Sequence, residues 1–195
     1  MNFRTIFSDI KSLLTSPNTF FTDIKANIKP TTFLLKAYLL PIIVVWLIIG
    51  LVGSIFFGLD ESIFYKFAQI LTHIVSFLAW GTISVIILKE LCHFMHLDNK
   101  IDISTNLIIY SLTPALLANA VASFHYNLDF VWIFSLYSFY LFWIGIKIFF
   151  KTTEDKKLIL LITTIIVAVL AKIICDMIFS GIFNALTSAQ SILPS

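Results

Sequence analysis

Lys172 and Asp176 stand four residues apart in LILLITTIIVAVLAKIICDMIFSGI. On a helix that spacing puts an ammonium and a carboxylate on one face, within reach of each other. Ionisable groups inside so apolar a run are costly and mark a functional site by default. His73, Asn119 and Tyr137 interrupt apolar runs of their own. At about 1.5 Å of rise per residue, all five fall in one layer of the outer leaflet. Such a layer has two readings. It is a polar cavity that takes a lipid headgroup, a small solute or an ion. Alternatively it is a self-satisfied network, because interhelical hydrogen bonds in membranes average only about 0.6 kcal/mol and need no function to exist.

A second constellation is KELCHFMHLDNKID. Glu90 and His93 have the Glu-x-x-His spacing that places two metal ligands on one helix face. His96 joins them only if the helix ends or bends. The run is not H-E-x-x-H, and no complementary ligand set stands out elsewhere. It is a weak metal candidate beside the plainer reading, a solvated helix end with an interfacial histidine. The sequence contains no G-x-S-x-G, Walker A or G-x-G-x-x-G motif, so neither a catalytic residue nor a cofactor is expected.

These side chains need elements to hold them, and composition says what surrounds those elements. The chain is 59% hydrophobic and 12% charged, against roughly 45–50% and 25% in soluble domains. Lipid is therefore the solvent for much of its surface. A net charge of +2 gives no basic field for nucleic acid. Two cysteines are too few for a disulfide framework.

The expected fold is all-α, a polytopic bundle of five transmembrane helices. The spans are about 33–57, 67–88, 103–124, 130–150 and 158–182, each long enough for about 30 Å of hydrocarbon. Together they make one membrane domain over 31–195. Eleven of the thirteen lysines and arginines fall before or at the start of span one or around the loops after spans two and four. That asymmetry predicts a cytoplasmic N-terminus and an external C-terminus. The start, MNFRTIFSDIKSLL, lacks the apolar core of a signal peptide. Trp132 is expected at an interface, whereas Trp46 and Trp80 lie deeper and should pack between helices.

Residues 1–30 differ from the rest. Apolar side chains recur at helical spacing from Phe3 to Leu14, and a second stripe holds Phe20, Phe21, Ile24 and Ile28. Ser16-Pro17 reads as an N-cap and first helical residue. Neither piece is long enough to span. They are read as amphipathic helices lying in the cytoplasmic interface, with packing under the bundle as the alternative.

Pro114 lies near the midplane of the third span, in YSLTPALLANAV. It removes the hydrogen bond to the Tyr110 carbonyl, and in lipid some neighbour must satisfy that group. Thr113, Tyr137 and Tyr140 are the expected partners. Pro41 acts similarly in span one. Both prolines either kink their helices for packing or form a flexing point beside a polar pocket.

That segment, with FSLYSFYLFWIGIKIFFKTTEDKK, resembles the bacterial branch of the Yip (Ypt-interacting protein) membrane family. The matching features are Tyr110 and Pro114 in span three, then Leu136, Tyr137, Tyr140, Leu141 and Gly145 in span four, then the charged loop Lys151 to Lys157. Ahead of span one, Pro17 and Phe21 match the family's Pro-x-x-x-Phe element. The HLDNKID loop departs from the glycine-rich family pattern. Eukaryotic members carry a long cytoplasmic N-terminal region, and some engage Rab-type GTPases. With about 30 residues before span one, that partner is not carried over. The resemblance implies a non-enzymatic integral membrane protein of the bacterial cytoplasmic membrane. Such a protein would organise membrane or partner proteins, other copies of itself included. The alternative is a small transporter or lipid-handling protein that uses the polar layer.

Overall fold

The computed structural model describes residues 3–57, 63–98 and 100–190. The loop at 58–62 and the side chain of Trp132 lie outside the described residues. Among those described, the only regular elements are helices. They are α1 (Phe3–Thr15), α2 (Pro17–Ala26), α3 (Thr31–Leu34), a π-helical turn (Leu35–Leu39), α4 (Leu40–Phe57), α5 (Ile63–Phe94), α6 (Ile101–Ser111), α7 (Thr113–Ala122), a 3-10 segment (Tyr126–Leu136), α8 (Tyr137–Phe149) and α9 (Glu154–Gln190).

Three helices are long and apolar enough to cross a membrane: Thr31–Phe57, Tyr65–Phe94 and Glu154–Ala185. The pair α6–α7, bent by 42° at Leu112, is long and apolar enough to make a fourth when taken as one broken span. The bend has a local cause. Pro114 cannot donate to the previous turn, and the Thr113 hydroxyl donates instead to the Ile109 carbonyl at 3.1 Å. Thr113 is also 3.0 Å from the Tyr38 hydroxyl. Thr113 is thus engaged at Ile109 and Tyr38 and not at the Tyr110 carbonyl expected of it, and Tyr137 and Tyr140 stand elsewhere. Pro41 leaves the first span unbroken. The π turn immediately before it re-registers the backbone bonds that a missing N–H would strand.

The expected span at 130–150 is not one α-helix. Its first part belongs to the 3-10 segment and only Tyr137–Phe149 is α-helical. At about 2.0 and 1.5 Å per residue the two parts have a combined length of about 42 Å.

α5 and α9 pair antiparallel. Trp80 Nε1 donates to the Ala168 carbonyl at 2.7 Å, and the Tyr65 and Phe183 rings meet at 5.1 Å. The other face of α9 is bare, with Ile166, Leu170, Ile174 and Ile178 more than half exposed and Met177 at 71%. An apolar face of that extent suits lipid, not water. α9 has 37 residues, or about 55 Å, so it outruns the hydrocarbon core.

α5 ends in a Schellman closure. The Leu97 N–H donates to the Cys92 carbonyl at 2.8 Å and the His96 N–H to His93 at 3.1 Å. His96 holds φ at 58°, where glycine is the usual residue. His96→Gly should therefore raise stability by up to about 1 kcal/mol. The thermal midpoint of the detergent-solubilised protein checks this, and a lowered midpoint would contradict it.

Candidate functional site

Two polar regions lie between the helices. One is built around Tyr110, which is fully buried. Phe20 and Tyr38 contact its ring edge-to-face at 5.0 and 4.9 Å. Lys29 Nζ lies 5.6 Å from the ring centroid and pairs with Asp9 at 3.2 Å. Asn106 Nδ2 donates to the Lys29 carbonyl at 2.7 Å. Asp102 Oδ1 accepts from both the Thr31 N–H and hydroxyl, at 2.7 and 2.6 Å. This ties the start of the first span to the start of α6.

The Pro17–Phe21 element docks beside it. Pro17, Phe20, Phe21 and Ile24 are buried on α2, which runs along α8. Phe21 meets Phe149 edge-to-face at 6.3 Å. Gly145 makes room for this, since a Cβ there would come 2.1 Å from Leu107 Cδ1 and 3.4 Å from the Phe21 ring. Lys25 Nζ donates to the Ile148 carbonyl. Burial lowers the Lys25 pKa from its ordinary value, and the nearby Lys151 charge lowers it further. The stripe of α2 therefore faces protein. α1 rests on α2 and leaves Phe7 72% exposed.

The other region is a cavity of about 680 Å³ between α4, α5, α7 and α9. His73, Asn119, Lys172 and Asp176 all line it. Lys172 Nζ donates to both carboxylate oxygens of Asp176, and Oδ1 also accepts from Ser76 Oγ at 2.7 Å. Trp46 Nε1 donates to Ser123 Oγ at 2.7 Å on the opposite wall. Asn119 Nδ2 returns to the Ala115 carbonyl of its own helix at 2.7 Å. Lys66, Gln69 and His73 line it beside the Lys172–Asp176 pair. The arrangement can hold a strongly polar group.

Other sequence candidates lie apart from this cavity. Tyr137 starts α8, and its hydroxyl donates to the Leu14 carbonyl at 3.1 Å. It joins the N-terminal hairpin instead, and its ring meets Tyr140 at 5.3 Å. Depth alone assigned it to the outer layer, but the hairpin comes up alongside α8 to meet it. Glu90 pairs with Lys89 at 3.1 Å on the exposed surface, and α5 ends at Phe94, before His96. Among the described residues no three His, Cys, Asp or Glu side chains group closely enough to hold a metal.

Sequence reasoning missed Ser76, Asp9, Tyr38 and Asp102. Ser76 follows His73 by three residues, so helical spacing carried that signal. The other three have partners 20, 75 and 71 residues away, and nothing local announces them.

No curated protein and no solved structure matches the chain at a significant level. A family model, the Yip1 domain, matches residues 11–175. That stretch contains the docked Pro17–Phe21 element, the Tyr110–Pro114 bend, Gly145 and the cavity wall through Lys172, and the chain belongs to the Yip1 domain family.

Proposed function

We propose that this chain is a non-enzymatic integral membrane protein whose outer-half cavity holds a strongly polar group presented from the bilayer or the outside. The observation that carries this reading is the cavity itself. Charged and amide side chains from three helices converge on about 680 Å³ of space in a bundle whose lateral faces are apolar. Ionisable side chains at such depth are expensive unless they serve a pathway or a ligand. The reading takes the 3-10 segment and α8 together as a fifth crossing. It takes the lysine asymmetry as fixing a cytoplasmic N-terminus in a bacterial cytoplasmic membrane.

Native mass spectrometry of protein released gently from its membrane tests it. A retained small molecule should be lost in Lys172→Met. The double variant Lys172→Met with Asp176→Leu removes the pair without stranding a charge, and it should still insert. A double variant with the wild-type complement of bound molecules would sink the reading.

A second reading, organisation of partner membrane proteins, is favoured by the lateral faces of α5 and α9. A Cβ added at Gly81 or Gly181 would meet nothing within 4 Å, so another helix has room to approach closely there. A stoichiometric protein partner in the same spectra, with no bound small molecule, would support this reading over the first.

A further inference from the structure

α1 carries more apolar surface than the protein covers. At 3.6 residues per turn, Leu13, Ile6, Ile10, Leu14 and Phe7 follow one another around about 120° of the helix. Protein covers one half of that arc. Leu13 and Ile6 are buried, whereas Leu14 and Phe7 are 38% and 72% exposed. The two borders of the arc carry opposite charge. Asp9, the single carboxylate of α1, lies on the covered border and pairs with Lys29 at 3.2 Å. Lys11 and Arg4 lie on the uncovered border, about 40° and 60° beyond Phe7, and both are exposed. Ser8, Ser12 and Thr5 make up the exposed polar face beyond them.

One end of the uncovered half abuts the flank of the bundle. The Leu14 carbonyl accepts from the Tyr137 hydroxyl at the start of α8. Around Tyr137, the side chains of Leu136, Phe139 and Tyr140 are exposed, an apolar surface of the kind that lipid covers. A long cationic side chain beside an apolar stripe lays its stem on hydrocarbon and keeps its charge among the headgroups. Lys11 and Arg4 stand in that relation to Phe7.

We infer that α1 is a lipid anchor. Its Phe7–Leu14 edge enters the boundary between headgroups and acyl chains of the adjoining leaflet, and Arg4 and Lys11 bind the phosphates of anionic phospholipids there. α2 holds the hairpin to the protein, and α1 holds it to the membrane. Charge complementarity selects an anionic leaflet, since the only carboxylate of α1 is turned to Lys29. The anchor is independent of the polar cavity.

Site-directed spin labelling of the full chain in nanodiscs tests this. Cys92 and Cys175 are buried, so a nitroxide reagent reacts first with a cysteine introduced on the exposed side of α1. The lipid is phosphatidylcholine, alone or with about one third phosphatidylglycerol. In the mixed lipid, a label on Phe7→Cys should collide with oxygen in preference to a water-soluble nickel chelate. A label on Ser12→Cys, on the polar face, should show the reverse. In neutral lipid the ratio of immersed to aqueous label on Phe7→Cys should fall about tenfold, and adding Arg4→Gln with Lys11→Gln should produce the same fall in mixed lipid. A Phe7→Cys label as open to the nickel chelate as the Ser12→Cys label would overturn the anchor. Equal immersion in the two lipids would overturn the phosphate contacts of Arg4 and Lys11. Dipolar broadening between Phe7→Cys labels, lost on dilution with unlabelled chain, would give the edge to a second copy of the protein instead. None of these variants lines the polar cavity, so failure here leaves the proposed function untouched.

Discussion

Gly53→Ala should prevent α4 from seating against the end of α7. A Cβ at Gly53 would stand 2.1 Å from the Phe124 carbonyl oxygen and 2.6 Å from its carbonyl carbon and Cα. These are backbone atoms, so no rotamer change relieves the clash. The neighbourhood leaves little slack. Phe57 holds the Phe124 ring at 5.3 Å, and Trp46 holds the Ser123 hydroxyl. Overpacking of this kind costs typically about 1–3 kcal/mol and sometimes more. The expected result is a lowered thermal midpoint, with a change in tryptophan emission as Trp46 loses its partner. Gly81→Ala is the control. It has open space around its Cβ and should be neutral or stabilising by about 0.5–1 kcal/mol through helix propensity. Equal effects from the two substitutions would show that the contact at Phe124 does not govern stability. Because Gly53 lines the polar cavity, the same substitution should also reduce occupancy there.

Phe21→Ala should release the N-terminal hairpin. Phe21 is fully buried, between Phe149 and the notch at Gly145. Truncating a buried phenylalanine costs about 3–5 kcal/mol, and here the loss falls on one docked element. Lys25 is engaged at the Ile148 carbonyl, so undocking frees the Lys25–Ala26 bond to trypsin. Limited proteolysis should quicken by about tenfold or more in Phe21→Ala, since protection tracks the free energy of local opening. Phe7→Ala, on the exposed side of α1, should leave the rate unchanged. A Phe21→Ala protein cut no faster than the parent would mean that the hairpin is held elsewhere, with the Asp9–Lys29 pair as the first place to look.

Both predictions concern contacts between helices, and there the sequence is least informative. The pairing of Lys172 with Asp176 was legible because four residues is about one helical turn. His73 and Asn119 were assigned to the same depth by counting rise per residue, and they do line the same cavity. The same count misplaced Tyr137. Depth fixes how far along a helix a residue lies but not which way it points around the bundle. The expected interfacial stripe of α2 had the right periodicity, yet amphipathicity reports an apolar face without saying whether lipid or protein covers it.

The sequence by itself determined the solvent, the helical class and the family. Apolar residues in such excess cannot be hidden from water, so lipid must surround the bundle, and lipid requires a backbone that satisfies its own hydrogen bonds. It also marked where the third span must bend, because proline's missing donor is a local property. Only the tertiary structure decided that Tyr110 lies between Phe20 and Tyr38, that Asp102 caps Thr31 and that Ser76 reaches Asp176. Those outcomes depend on how each helix is rotated against its neighbours. That rotation follows from side-chain packing summed over several helices at once, and no single stretch of chain contains it.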